Sequence, residues 1–290
     1  MDIFIKCGPA VFNLRDFCNK SPFSTWQWKL DPFITASPLS DATEISFRKT
    51  EVDLQNAKIV CCEKEGFFSR EVIRAENGTV HRLVRNSNSQ VVLSFFADES
   101  IKKISLAEDN TEPSGQSAFE FVGRLALYSM IEKNVLSFHG VLMEYNGKGI
   151  IIAAPSETGK TTHARLWRKE KNALIINGDN SCCWKENGKW QGFGIPWCGT
   201  SGECINRKVD VAALVILERG EENKVTRLKE YDAFRSVYSL IQYPSFDFEK
   251  TQSAIDMCNG FLKDIPAFKL ECRPDSEAVR VLHKALEGYL

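Results

Sequence analysis

An apolar run, Ile150-Ile151-Ile152-Ala153, breaks at Ala154-Pro155-Ser156-Glu157-Thr158-Gly159 and is followed by Lys160-Thr161-Thr162. A cation and hydroxyls directly after a glycine turn are residue types that hold a polyphosphate. A buried strand feeding a helix through such a turn aims successive backbone N–H groups at one spot, where the helix N-terminus adds partial positive charge. In that geometry the stretch from Ala154 to Thr162 binds a nucleotide, Lys160 reaches its β- and γ-phosphates, and Thr161 helps hold Mg²⁺. The stretch departs from the G-x-x-x-x-G-K-[ST] pattern in two places. Ala154 stands where the first glycine is expected, and the acidic Glu157 lies inside the loop. Facing a triphosphate, Glu157 would oppose binding; pointing outward, it would cost little.

Phosphoryl transfer also requires a group that orients the attacking oxygen and accepts its proton, which directs attention to carboxylates at strand ends. Asp179 follows the apolar Leu174-Ile175-Ile176, far enough beyond Lys160 for a helix and a returning strand to bring it beside the loop. It is the candidate base and a candidate metal ligand; a surface turn aspartate is the alternative. His139 begins the segment that delivers the loop, so cross-strand geometry could place its imidazole near the phosphates, or a backbone partner could simply satisfy it. His163, just after the loop, reads as structural. Trp197, with glycines around it, and Asn206-Arg207 beyond read either as a substrate loop or as ordinary packing.

Positioning these residues requires particular elements. His139 to Tyr145, the Asn146-Gly147 turn and Lys148 to Ala153 predict a hairpin; Thr161 to Lys169 a helix; Ala173 to Asn177 a buried strand. A second hairpin is predicted around Asn187-Gly188, so the sheet is expected to be mixed rather than doubly wound. Val211 to Leu217 reads as a strand and Glu218 to Lys224 as a solvated charged turn, beyond which the chain reads as helical. Upstream, Asn77-Gly78 between Glu71–Arg74 and Thr79–Val84 predicts another hairpin, and Gln90 to Phe96 a strand. The polar segment 108–116 marks a linker. The expected organisation is a strand-rich domain over 1–112, its core built on Trp26, Trp28, Phe47 and Phe68, and a nucleotide-binding domain over 117–290.

Composition narrows the class. Hydrophobic residues make up 43% and charged residues 26%, and no apolar stretch reaches the roughly 18 residues of a membrane helix. The N-terminus lacks a signal-peptide pattern, so a cytoplasmic location and no membrane are expected. Ten cysteines show no C-x-x-C pair and read as reduced thiols. A formal charge of -1 gives no electrostatic ground for a nucleic-acid partner.

His139-Gly140-Val141-Leu142, the hairpin, Ser156-x-Thr158-Gly159-Lys160-Thr161-Thr162 and the strand ending at Asp179 together resemble the C-terminal domain of HPr kinase/phosphorylase over about residues 117 to 217. That domain shares its fold with phosphoenolpyruvate carboxykinase. Thr162-His163-Ala164-Arg165-Leu166-Trp167 and Gly194-Ile195-Pro196-Trp197-x-Gly199 resemble a group of bacterial HPr-kinase-like proteins. The resemblance implies an α/β fold, a mixed-sheet P-loop domain of the PEPCK/HPr-kinase kind behind a smaller strand-rich domain. It also implies an ATP- and Mg²⁺-dependent kinase acting on a serine-like hydroxyl of a peptide, small protein or metabolite. Lys160 would sit on the phosphates, Thr161 on Mg²⁺, Asp179 would be the base, and His139 occupies the position of a functional histidine. Two departures bear on this. Gly178-Asp179-Asn180 replaces an Asp-Asp pair, and no equivalent of a metal-binding glutamate stands near Gln191–Gly194. The second reading is therefore a catalytically silent nucleotide-binding module that recognises a peptide or partner protein.

Overall fold

The structure is a computed structural model that describes residues 2–17, 26–36, 40–108 and 115–290. Its contacts divide the chain into two units, Met1–Lys133 with Pro244–Thr251, and Asn134–Tyr243 with Gln252–Leu290. Most of the segment read as a linker, 109–114, lies outside the described residues. Both units are mixed α/β, and among the described residues no helix is long and apolar enough to cross a membrane.

The first unit contains β1 (Ile3–Cys7), β2 (Ala10–Arg15), the short α1 (Gln27–Leu30), β3 (Thr43–Lys49), β4 (Lys58–Glu65), β5 (Phe68–Ala75), β6 (Gly78–Arg85), β7 (Gln90–Asp98), β8 (Lys103–Leu106) and α2 (Gly115–Met130). Its strands form one sheet in the order β1-β2-β3-β8-β7-β6-β5-β4, with β2–β3 and β3–β8 parallel. The hairpin predicted at Asn77-Gly78 is present as β5 and β6. Its core is not built on the four aromatics singled out above. Ile5, Phe12, Leu30, Phe33 and Phe95 are fully buried, whereas Trp28 is 50% exposed and Trp26, Phe47 and Phe68 are half-buried. Two causes are visible: Phe47 lies toward the open end of β3, and Trp26 turns its ring to the buried ammonium of Lys29, 4.7 Å from the centroid.

The second unit contains β9 (Leu136–Tyr145), β10 (Lys148–Ala153), α3 (Lys160–Lys171), β11 (Leu174–Asn177), β12 (Asn180–Glu186), β13 (Lys189–Phe193), β14 (Lys208–Arg219), β15 (Lys224–Arg227), α4 (Glu230–Val237), α5 (Phe248–Asp264, from Gln252 onward), β16 (Ala267–Cys272) and α6 (Ser276–Leu286). The strand order is β10-β9-β12-β13-β14-β16-β15, and β10 also pairs with β14, so β9, β12, β13, β14 and β10 close a circuit. Pairs β10–β14 and β14–β16 are parallel and the rest antiparallel, the mixed arrangement the two Asn-Gly hairpins predict.

Alternation along β10 explains why its run is apolar throughout. Ile150 and Ile152 face a core with Ala213, Val215, Trp167 of α3 and Leu282 of α6. Ile151 and Ala153 face the opposite core, with Leu214, Ile216 and Phe261 of α5. A strand covered on both faces has no polar side. The expectation of helix beyond Lys224 is corrected by β15 and β16. Ala267–Cys272 is short and interrupted by Lys269 and Glu271, so its apolar pattern carries little length to separate strand from helix. The charged turn is also shorter than expected, because β14 continues through Glu218 and Arg219.

Each unit buries a histidine: burial pushes His81 down to about 3 and His163 down to about 4. Both are neutral when folded and ordinary when unfolded, so the unfolded chain binds more protons below pH 6.5. The stability this confers is complete above pH 6.5 and is lost as pH falls toward the folded values. We expect the urea midpoint to be lower at pH 5 than at pH 7, and equal midpoints would contradict the burial of neutral imidazoles.

Candidate functional site

Register along β9 brings the sequence candidates together. Gly140 lies opposite Ala153, the last β10 residue before the loop, and His139 lies opposite Asn180, the first residue of β12. The Gly140 N–H donates to the Asp179 carbonyl at 2.8 Å. One strand, β9, with β10 on one edge and β12 on the other, thus brings the loop, the imidazole and the acid within neighbouring positions. Gly140 itself has no room for a side chain, since a Cβ there would stand 2.8 Å from the Ile152 carbonyl oxygen.

The loop turns through two left-handed residues, Glu157 at φ 62° and Gly159 at φ 115°. A Cβ at Gly159 would meet nothing within 4 Å, so backbone conformation, not crowding, calls for glycine, and the space beside it is open. α3 begins at Lys160 with no side-chain cap on its N-terminus. The first N–H groups of a helix have no intrahelical acceptor, which leaves this end suited to an anion. Glu157 is exposed, Thr161 half-buried and Thr162 exposed.

The Lys160 side chain folds back into the loop and is 6% exposed. Its ammonium donates to the carbonyls of Ala154 at 2.8 Å and Pro155 at 2.9 Å, and lies 3.1 Å from His139 Nε2. Burial lowers its pKa below the usual lysine value, and the charge of Asp179 opposes that shift. An ammonium only donates, so His139 Nε2 accepts and the neutral ring carries its proton on Nδ1. That atom lies 3.6 Å from Asp179 Oδ1, while the Ser156 hydroxyl lies 3.3 Å from Nε2. Cation, imidazole and carboxylate therefore stand in line beside the loop.

Asp179 is held by a residue the sequence reading passed over. Fully buried Asn177 accepts the N–H of Asp179 at 3.0 Å and of Asn180 at 2.8 Å through its Oδ1. Its Nδ2 donates to the carbonyls of Ile195 at 2.9 Å and Trp197 at 3.3 Å. Asn180 adds a bond from Nδ2 to the Trp197 carbonyl at 2.9 Å and accepts from Gln242. Gly199, at φ 58°, closes over the acid, where an added Cβ would stand 2.7 Å from Asp179 Cγ.

Other candidates are placed elsewhere. The Trp197 ring is buried and Asn206 is exposed. Arg207 donates through two nitrogens to Glu144, which raises its pKa and holds it five residues along β9 from His139. The arginine that does reach the loop is Arg219, at the end of β14, which donates to the carbonyls of Glu157 and Thr158. Only its position at the close of an apolar run could have signalled it.

Among the described residues no group of three or more His, Cys, Asp or Glu could hold a metal ion by itself. Mg²⁺ is commonly held by one or two carboxylates together with phosphate oxygens, a smaller protein donor set that Thr161 and Asp179 could supply.

No family model matches the chain, and no curated protein matches it. Among solved structures it is similar to the HPr(Ser) kinase/phosphatase from Coxiella burnetii, with 11% identity and a TM-score of 0.32 over 52% of this chain and 99% of that one. At that score the likeness assigns no residue and no activity.

Asn177→Ala is expected to lower the free energy of unfolding by roughly 1–3 kcal/mol for each buried group it leaves without a partner. Equilibrium urea unfolding measures this; an unchanged midpoint would mean the bonds around Asp179 are not formed.

Proposed function

We propose that the second unit is an ATP- and Mg²⁺-dependent kinase that transfers a phosphoryl group to a hydroxyl on a peptide, small protein or metabolite. In this reading the domain is a P-loop domain of the HPr-kinase/PEPCK kind and acts in the cytoplasm. The observation that carries the reading is the Lys160–His139–Asp179 line beside an uncapped helix N-terminus.

The nucleotide would lie along residues 154–162, with loop amides and the α3 N-terminus toward its phosphates. Lys160 exchanges two neutral carbonyls for phosphate oxygens, an exchange its partly desolvated ammonium favours. Bound Mg²⁺, on Thr161 and Asp179, would neutralise charge on the phosphates. Asp179 orients the acceptor hydroxyl and takes its proton; in a loose transition state positioning supplies most of the acceleration, so its pKa needs no large rise. His139 Nδ1, 3.6 Å from that carboxylate, stands beside it as a neighbouring polar group.

One observation favours the second reading, a silent binding module. Position 180, beside Asp179, is an asparagine and not a second carboxylate, and its amide is engaged with Trp197 and Gln242. Turnover separates the two. With ATP, Mg²⁺ and a panel of hydroxyl acceptors, we expect Asp179→Asn to cut kcat by about 10²–10⁴-fold while nucleotide still binds. Lys160→Ala should weaken nucleotide binding itself, by at least about tenfold. Gly199→Ala, which displaces the acid, should lower kcat with little change in nucleotide affinity. ATP bound but left intact by the unmodified protein would select the silent module.

A further inference from the structure

The segment that covers Asp179 continues past it to α3. Gly199 stands over the acid, and further along the same segment the Glu203 carbonyl accepts the N–H of Gly178, the residue before the acid, at 2.9 Å. Between these points the Ser201 hydroxyl donates to the Cys198 carbonyl at 2.6 Å and accepts the Glu203 N–H at 3.2 Å, which makes the crossing a fixed span. At its end the Glu203 carboxylate meets the helix. Its Oε1 accepts from Arg168 Nη1 at 2.7 Å and lies 3.7 Å from Arg165 Nε, while its Oε2 accepts no hydrogen bond among the described residues.

Two guanidinium groups therefore lean on one carboxylate, which cancels only half of their charge. Both arginine side chains are about half exposed, and exposed Lys169 follows them. The next acid, Glu170, is turned to α6, where the Ser276 hydroxyl donates to it at 2.9 Å. Thr161, Arg165 and Arg168 are spaced i, i+4, i+7 and share one face of α3. Along the helix axis the two arginines stand about 6 and 10 Å beyond Thr161, lengths that an extended peptide covers in roughly two and three residues. The 199–203 span thus leads from the acid to a cationic ledge, and a molecule that offers a hydroxyl to Asp179 reaches that ledge only if it is a chain of several residues.

We propose that Arg165 and Arg168 dock the hydroxyl acceptor, and that this acceptor is a polypeptide segment with Asp or Glu about two to four residues from the hydroxyl. The proposal rests on the kinase reading given above for the place of the hydroxyl and narrows the acceptor to an acidic peptide. A guanidinium already held by Glu203 needs little further ordering to take a second carboxylate through its remaining N–H groups.

Serine peptides with glutamates at those distances on either side of the serine, and the same peptides with glutamines instead, test it on the full chain with Mg²⁺ and ATP. Fluorescence anisotropy reads binding and phosphate incorporation reads turnover. We expect the acidic peptides to bind about three- to tenfold more tightly at low salt, an advantage that shrinks as ionic strength rises. Arg165→Gln and Arg168→Gln should each cut that advantage at least about twofold and leave ATP affinity unchanged. Each substitution removes an exposed side chain, so one variant serves if the other misfolds. Equal binding of the two peptide sets overturns the ledge, as does phosphorylation of both sets with the same kcat/KM or of small alcohols alone; in the last two cases the kinase reading stands. Acidic peptides that bind in an arginine-dependent way and are never phosphorylated support the ledge as a peptide site and count against the kinase.

Discussion

The site depends on one buried ammonium. Lys160 has three donors and three acceptors around it: two carbonyls of the loop that precedes it and the imidazole of His139. Because the acceptors lie on both the loop and β9, the lysine sets the curl of the loop and the tautomer of the histidine together. The histidine in turn determines which atom faces Asp179. All three acceptors are neutral, so the charge is solvated but not cancelled. An anion entering this space meets a cation that is already in place.

β9 is the frame on which that arrangement is measured. It pairs with β10 along one half and with β12 along the other, so the loop and the acid come from strands anchored to adjacent residues. A shift of one residue in either register would turn His139 to the opposite face. Two buried asparagines then tie the Asp179 turn to the 195–197 segment, and Gly199 covers it. The resulting acid is positioned by backbone and amide bonds, with Asn180 Nδ2 also donating to its Oδ2 at 3.5 Å and His139 beside its Oδ1.

How much of this was legible in the sequence follows from the range of the interactions involved. The Asn-Gly hairpins and the strand–turn–helix at Ile150 to Lys171 are local, and their residues declare them. The line through His139, Lys160 and Asp179 was legible because two predicted hairpins leave few ways to arrange those strands. Asn177, Arg219 and the engagement of Arg207 by Glu144 were not, since each depends on which distant carbonyl or carboxylate lies opposite. β16 was missed for a different reason: Lys269 and Glu271 dilute a run too short for its period to be read. The aromatic residues of the first unit misled because size alone does not place a ring; Trp26 is held at the edge by a buried lysine.

The clasp of Arg219 on the carbonyls of Glu157 and Thr158 has an implication for biosynthesis. The turn that precedes α3 is completed by a strand made some sixty residues later. That strand, β14, joins β10 in parallel, a pairing that no tight turn can close and that therefore forms late. On the ribosome, a nascent chain that has emerged only as far as α3 would display the glycine, the lysine and the threonines without the shape they need. The turn gains those two bonds only after the arginine leaves the exit tunnel.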